Sequence, residues 1–174
     1  MFIVLKMLGA VLVVAGGGGC GWYLAYGARQ RISILQELQQ AILILYGDIE
    51  YAAGDLAENM ERLAGRTEFF SVFFMKVSGR LGEKMGQSLC RIWKEELWAL
   101  PCRTRLQKED MDFLEELGRH LGNLDRNTQL HTLQVMQGRL EQAVEQAREE
   151  YGNRAKLFRV VGVTVGVFTA VLLL

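Results

Sequence analysis

Both ends of this chain are stripped of charge. Met7–Ala28 is a run of 22 residues without an Asp, Glu, Lys or Arg, and the chain finishes on 15 more, Val160–Leu174. Between them lie all 20 acids, from Glu37 to Glu150, and 19 of the 20 basic residues. That division constrains the fold before any motif is read. A helix of 22 apolar residues can cross a hydrocarbon core of roughly 30 Å, whereas a domain this small has no interior that could hide two such segments.

The first run ends in Trp22, Tyr23 and Tyr26, rings that favour a membrane interface. It exceeds the apolar region of about 7–15 residues found in a cleaved signal peptide, and no A-x-A site follows, so an uncleaved anchor is expected. The second run is shorter. At about 1.5 Å per residue it reaches roughly 22 Å, and Leu157 and Phe158 extend it if Arg159 snorkels to the interface. Arg29 and Arg31 follow the first run, and Arg154, Lys156 and Arg159 precede the second, against Lys6 alone on the other side. The positive-inside rule then makes this a multi-pass protein of the cell membrane, with both termini outside. Three segments follow: an N-terminal transmembrane helix over 1–28, a cytoplasmic helical bundle over 29–159, and a C-terminal transmembrane helix over 160–174. Each span holds a GxxxG, Gly17 with Gly21 and Gly162 with Gly166. That spacing lets backbones approach closely in lipid, between the two spans or between protomers of a homo-oligomer.

The middle reads as all-α, about six helices. Pro101 is the only proline, so little interrupts helices elsewhere. Leu35, Leu38, Ile42, Leu45, Ile49, Ala52, Leu56, Met60 and Leu63 step by three and four, drawing one apolar stripe. Gly54 breaks it into helices over about 29–53 and 56–65, with Asp55 and Glu58 placed as a variant capping box. Thr67 is expected to cap the next helix, whose Phe69, Phe70, Phe73, Phe74 and Val77 form an aromatic core face. Ser88 is expected to cap a helix with Leu89, Ile92, Trp93 and Leu97 inward, ended by Pro101. A fifth helix presents Met111, Leu114, Leu117 and Leu121. A sixth starts after Asp125, carries Leu130, Leu133, Leu140, Val144, Ala147 and Tyr151 inward, and runs unbroken into the second span.

Chemistry is sparse. Net charge is zero and no stretch is basic enough to track phosphates, so nucleic acid is a poor partner. Cys20, Cys90 and Cys102 form no CxxC and fit reduced thiols. Glu116 and His120 stand at i, i+4, but a chain with two histidines lacks ligands for a metal site. There is no phosphate-cradling loop, GxSxG or HExxH, and no cofactor is expected. The stretch "LGNLDRNTQLHTLQ" offers Asp125 and His131 as acid and base. If a helix begins at Arg126, however, Asp125 is its N-cap and His131 lies more than a turn further on. The runs "KEDMDFLEE" and "EQAVEQAREE" read as solvated faces or an interaction surface.

The order of elements resembles the stage III sporulation protein AB family of endospore-forming bacteria. The matching stretches are "LQELQQAILILYGDIEYAAGDLAENMERLAG", "LGRHLGNLDRNTQLHTLQ" and "GNRAKLFRVVGVTVGVFTAVLLL". The family's glycine, Asp-Arg pair and Gln look like Gly122, Asp125, Arg126 and Gln129, while Gly54 and Asp55 stand in a turn where the family usually has prolines. The family in turn resembles the F-type platform proteins of type II secretion and type IV pili, which are helical bundles of the inner membrane. The resemblance implies a non-enzymatic platform in the channel complex between mother cell and forespore. Its domain would face the mother-cell cytoplasm and dock the complex's secretion-type ATPase beside other channel subunits. A sensor that gates a partner through its membrane helices is the second reading, and a membrane enzyme using Asp125 and His131 the third.

Overall fold

The first described helix, α1 (29–51), is built on its apolar stripe. Ile34, Leu35, Leu38, Ala41, Ile42 and Leu45 are each no more than 2 % exposed, and they recur every three or four residues along one side of the helix. The structure, a computed structural model, describes residues 27, 29–51, 55–83, 86–122 and 125–173, except for the side chains of 154–155, 158–159, 162–163 and 165–173. After α1 come α2 (Leu56–Ala64), α3 (Ser71–Gly82), α4 (Leu89–Trp98), a 3₁₀ turn (Arg103–Arg105), α5 (Lys108–Leu121) and α6 (Arg126–Leu173). The described residues are therefore all-α with six α-helices, as the periodicity predicts.

The chain divides into two units, Arg31–Val144 and a second made of Met1–Gln30 with Glu145–Leu174. In the first, α2 contributes Met60, Leu63 and Ala64 to the core. The segment at α3 adds Phe70, Phe73, Phe74 and Val77; α4 adds Leu89, Ile92, Trp93 and Leu97; α5 adds Phe113, Leu114, Leu117 and Leu121. On α6, Leu133, Met136, Leu140 and Val144 face inward at steps of three, four and four. Each such Leu, Ile, Met or Phe contributes about 1.5–3 kcal/mol by leaving water.

Trp93 is the centre of this packing. Its ring meets Phe73 edge-on at 4.8 Å between centroids and Phe74 at 6.1 Å, and its indole N–H donates to the Leu114 carbonyl at 2.8 Å. A buried tryptophan must place that N–H somewhere, and a helical carbonyl facing it on α5 accepts.

Polar contacts fix helix directions. The Arg126 guanidinium donates to the Glu50 carbonyl, and the Gln134 amide donates to Tyr46 Oη at 3.1 Å. Later positions on α1 thus meet earlier positions on α6, so the two run antiparallel. Arg139 on α6 pairs with Glu116 on α5 at 2.8 Å, and Gln129 donates to the Leu121 carbonyl at 2.9 Å, so α5 and α6 are antiparallel as well.

Several boundaries depart from the sequence reading. Thr67 does not cap α3. Its hydroxyl donates back to the Leu63 carbonyl at 2.8 Å, closing α2, and α3 begins only at Ser71. The Glu37 carboxylate on α1 instead holds the turn ahead of α3, accepting from the N–H groups of Glu68 at 2.9 Å and Phe70 at 3.0 Å. Asp55 and Ser88 occupy N-cap positions with extended backbone, and neither side chain makes the capping bond. On α5, Leu114, Leu117 and Leu121 are buried as expected, but Phe113 is buried as well and Met111 only half-buried. Ala52 and Gly54 lie outside the described residues, and Ile49, Leu56, Leu130 and Tyr151 are intermediate in exposure. The turn before α4 contains Gly86 at φ 68°, a left-handed conformation that a side chain would strain.

In the second unit, α6 continues without a break through Gly152 to Leu173. The Thr164 hydroxyl donates to the Val160 carbonyl one turn back, at 2.9 Å. Among the described residues, no helix is long and apolar enough to cross a membrane. The expected first span, with Gly17 and Gly21, lies outside the described residues apart from Gly27, and the side chains of most of the second, with Gly162 and Gly166, are likewise outside them.

Candidate functional site

The residues singled out in the sequence meet at the joint between α5 and α6. A helix leaves its last carbonyls and first N–H groups without partners, so a joint between two helices must satisfy both sets. Asp125 adopts the N-cap role. Its Oδ2 accepts from the Thr128 backbone N–H at 2.9 Å and also from the Thr128 hydroxyl. These bonds, the hydroxyl first, hold the Asp125 carboxyl below its usual range, as expected for a carboxylate at the positive end of a long helix.

The next residues close the carbonyl side. Gln129 caps the Leu121 carbonyl of α5, and Arg126 caps the Glu50 carbonyl in the last turn of α1. One short stretch of α6 thereby satisfies backbone acceptors of two other helices. Cations near helix C-termini are favourable for the same reason. Gly122 ends α5 with φ −76° and ψ −4°, ordinary right-handed backbone. A Cβ there would meet the Arg119 carbonyl oxygen at 3.7 Å, a normal contact, so neither strain nor crowding demands the glycine. His131 points to solvent while the Asp125 carboxylate is engaged by Thr128, so the two do not assemble as an acid–base pair.

A second constellation escaped the sequence reading. Arg31, at the start of α1, and Asp110, in the first turn of α5, form a fork-to-fork ion pair with Nε–Oδ2 at 2.7 Å and Nη2–Oδ1 at 2.9 Å. Arg31 is 8 % and Asp110 4 % exposed. Asp110 Oδ2 also accepts from the Gln107 backbone N–H at 2.9 Å and completes a capping box with Gln107. The run "KEDMDFLEE" is therefore not wholly a solvated face. Its Asp110 turns inward, buried on α5 with Phe113, Leu114 and Leu117. A Q-x-x-D capping pattern was visible in the sequence; its partner, 79 residues away, was not.

The outer charges are paired more loosely. Arg80 bridges Glu95 at 2.6 Å and Glu96 at 2.9 Å, which raises the arginine and lowers Glu95. Lys94 pairs with Glu115 at 2.8 Å and lowers its carboxyl. Exposed pairs of this kind add little stability. On the interior side, Asp48 Oδ2 and Arg62 Nε are buried without a hydrogen-bond partner among the described residues, although Arg62 Nη1 approaches Asp48 Oδ1 at 3.7 Å. Cys102 is buried, and desolvation pushes its thiol up to about 11, which leaves it a poor nucleophile at neutral pH. Among the described residues, no group of three or more His, Cys, Asp or Glu could hold a metal ion.

Fold and site together define a helical bundle protein whose recognisable polar motifs work on backbone ends and helix-to-helix bonds. The chain matches the stage III sporulation protein AB family over residues 6–174 and belongs to that family, as its sequence resemblance led one to expect. It is 25 % identical over 171 residues to stage III sporulation protein AB of Bacillus subtilis strain 168, spanning 98 % of this chain and 99 % of the relative. No solved structure matches it.

Proposed function

We propose that this sporulation-family protein is a non-enzymatic, membrane-anchored platform in a secretion-like channel complex. Its terminal helices hold it in the membrane, its bundle lies on the mother-cell side, and the bundle docks the secretion-type ATPase of the complex. The observation that carries the anchoring is on α6. Beyond Arg154 its apolar side chains Leu157, Val160 and Val161 are 63 %, 63 % and 55 % exposed, and the same helix continues to Leu173. Contiguous exposed apolar surface calls for cover. Thr164 bonds within its own helix, as a hydroxyl in a lipid-facing segment must.

The antiparallel α1 and α6 divide the bundle into two ends. One carries Arg31 and, on α6, Val144; the other carries Tyr51, Asp125 and Arg126. Tyr51 is 84 % exposed there, and Asn127 and His131, in the first turns of α6, are exposed too. An end directed away from the bilayer is the natural one to meet a cytoplasmic ATPase.

Co-purification of the full chain in detergent with the channel complex's ATPase tests the docking. Tyr51→Ala and Asn127→Glu with His131→Glu should each reduce ATPase recovery and spore yield while leaving helical content unchanged. Full ATPase recovery and sporulation in those variants would refute docking at this end. Extraction of the chain by alkaline carbonate would refute the anchoring.

A further inference from the structure

The α4–α5 connection carries side chains that the bundle does not use. Two tryptophans stand five residues apart on α4. Trp93 is 1 % exposed, whereas Trp98 is 58 % exposed, and the Arg103 guanidinium lies 4.0 Å from the centre of the Trp98 ring. From Leu97 to Lys108 the chain has three basic residues, Arg103, Arg105 and Lys108, and no acid. Beside Trp98 lies an open cleft of about 350 Å³ with Leu106 and Met111 in its wall. Asp112 and Glu115 also line it, and Glu115 is already paired with Lys94.

The buried ion pair shows which end of the bundle this is. Asp110 follows Lys108 by two residues and grips Arg31, which follows Ala28, the last residue of the uncharged stretch, by three. The α2–α3 loop lies at the same end. Glu37 holds the N–H groups of Glu68 and Phe70, the Cys102 thiol donates to the Phe69 carbonyl at 3.9 Å, and exposed Arg66 adds a further cation. The acids nearby are Glu68, and Glu109 and Asp112 at the start of α5, where the helix N-terminus partly answers their charge.

We propose that the α4–α5 loop rests on the surface of an anionic bilayer, with Trp98 at headgroup depth and Arg103, Arg105 and Lys108 against lipid phosphates. An indole with an apolar body and a polar N–H partitions to that depth. Basic side chains within a Debye length of an anionic leaflet are drawn to it. This inference rests on the membrane anchoring proposed above.

The test uses the full chain with Trp22→Phe, reconstituted into vesicles of phosphatidylcholine with or without phosphatidylglycerol. The lipids carry bromine on the acyl chain near the headgroup. Trp93 is the buried, unquenched reference, and Trp98→Phe identifies the signal from Trp98. Trp98 emission should be quenched in the anionic vesicles, and roughly threefold less in phosphatidylcholine alone or in Arg105→Glu/Lys108→Glu, which leaves the Arg103–Trp98 stack in place. If the chain floats with the vesicles and Trp98 is not quenched, the loop contact is overturned while anchoring stands, and the surface is left to a protein partner. Equal quenching in both lipids and in the charge variant overturns the anionic specificity. A chain that does not float with vesicles at all overturns the anchoring itself.

Discussion

Gly118 on α5 lies directly beneath the indole of Trp93 on α4: a Cβ at position 118 would stand 2.2 Å from Trp93 Cδ1 and 2.4 Å from Cγ. No real contact is that short, so any side chain must displace the ring. The ring has nowhere to go, because its N–H is bonded to the Leu114 carbonyl and Phe73 and Phe74 face it from α3.

Gly118→Ala should therefore destabilise the bundle. Alanine gains about 1 kcal/mol in helix propensity, but overpacking a closed core costs about 2–3 kcal/mol and here strains a buried hydrogen bond too. Thermal unfolding of the full chain in detergent, followed by circular dichroism, should show a lower Tm. Gly118→Ala with Trp93→Phe should lose less than the sum of the two single variants, since the smaller ring leaves room. Strict additivity would mean the close approach does not limit packing.

The buried pair of Arg31 and Asp110 should behave as a unit. Removing one partner leaves the other charge buried and unmatched, which costs about 3–5 kcal/mol. Asp110→Ala also removes the acceptor for the Gln107 N–H. Arg31→Met and Asp110→Leu should each lower Tm strongly, and the double variant should be more stable than either single one. If the double variant shows the summed loss, the two charges are not energetically coupled.

Much of this fold is legible because period is a local property. The stripe from Leu35 to Leu45, the aromatic face from Phe70 to Val77 and the N-cap at Asp125 all follow from neighbours within a few residues. What sequence spacing does not carry is long-range partnership. Thr67 reads as a cap until Glu37, thirty residues earlier on another helix, takes over the N–H groups ahead of α3. Asp110 looks like Glu109 and Asp112 until Arg31 singles it out. Trp93 reads as inward from its spacing with Leu89, Ile92 and Leu97, but its bond to the Leu114 carbonyl on α5 is not written in that spacing. Nothing near Arg126 and Gln129 in the sequence names their partners; the bonds they make to the Glu50 and Leu121 carbonyls tie α6 to α1 and α5.

The cysteines should differ in reactivity. Cys90 is half-buried and Cys102 is buried, with its thiol raised from an ordinary 9.0 to about 11. In the folded chain at pH 8, Cys90 should alkylate roughly tenfold faster than Cys102, because the thiolate is the nucleophile; urea should remove the difference. A raised thiol pKa means the folded state favours the proton. Its contribution is fully present below pH 9.0 and is lost as pH rises toward about 11. Cys102→Ala should consequently flatten part of the alkaline fall in Tm. Equal labelling of both thiols in the folded chain would contradict the burial of Cys102.

Asp125 carries the opposite sign. Its folded carboxyl sits below its ordinary 3.8, so its stabilising charge is present above that value and is lost as pH falls through the lower, folded one. Asn is as good an N-cap acceptor as Asp but has no proton to take up. Asp125→Asn should keep the helical content of the joint at pH 7 and show a shallower decline in Tm below pH 3.8. The same variant separates cap from catalyst, because it removes the only carboxylate that could pair with His131 in this stretch while leaving the Gln129–Leu121 and Arg126–Glu50 bonds in place. Spore yield should be unaffected. A variant that folds normally yet fails to support sporulation would return the carboxylate of Asp125 to a role beyond capping.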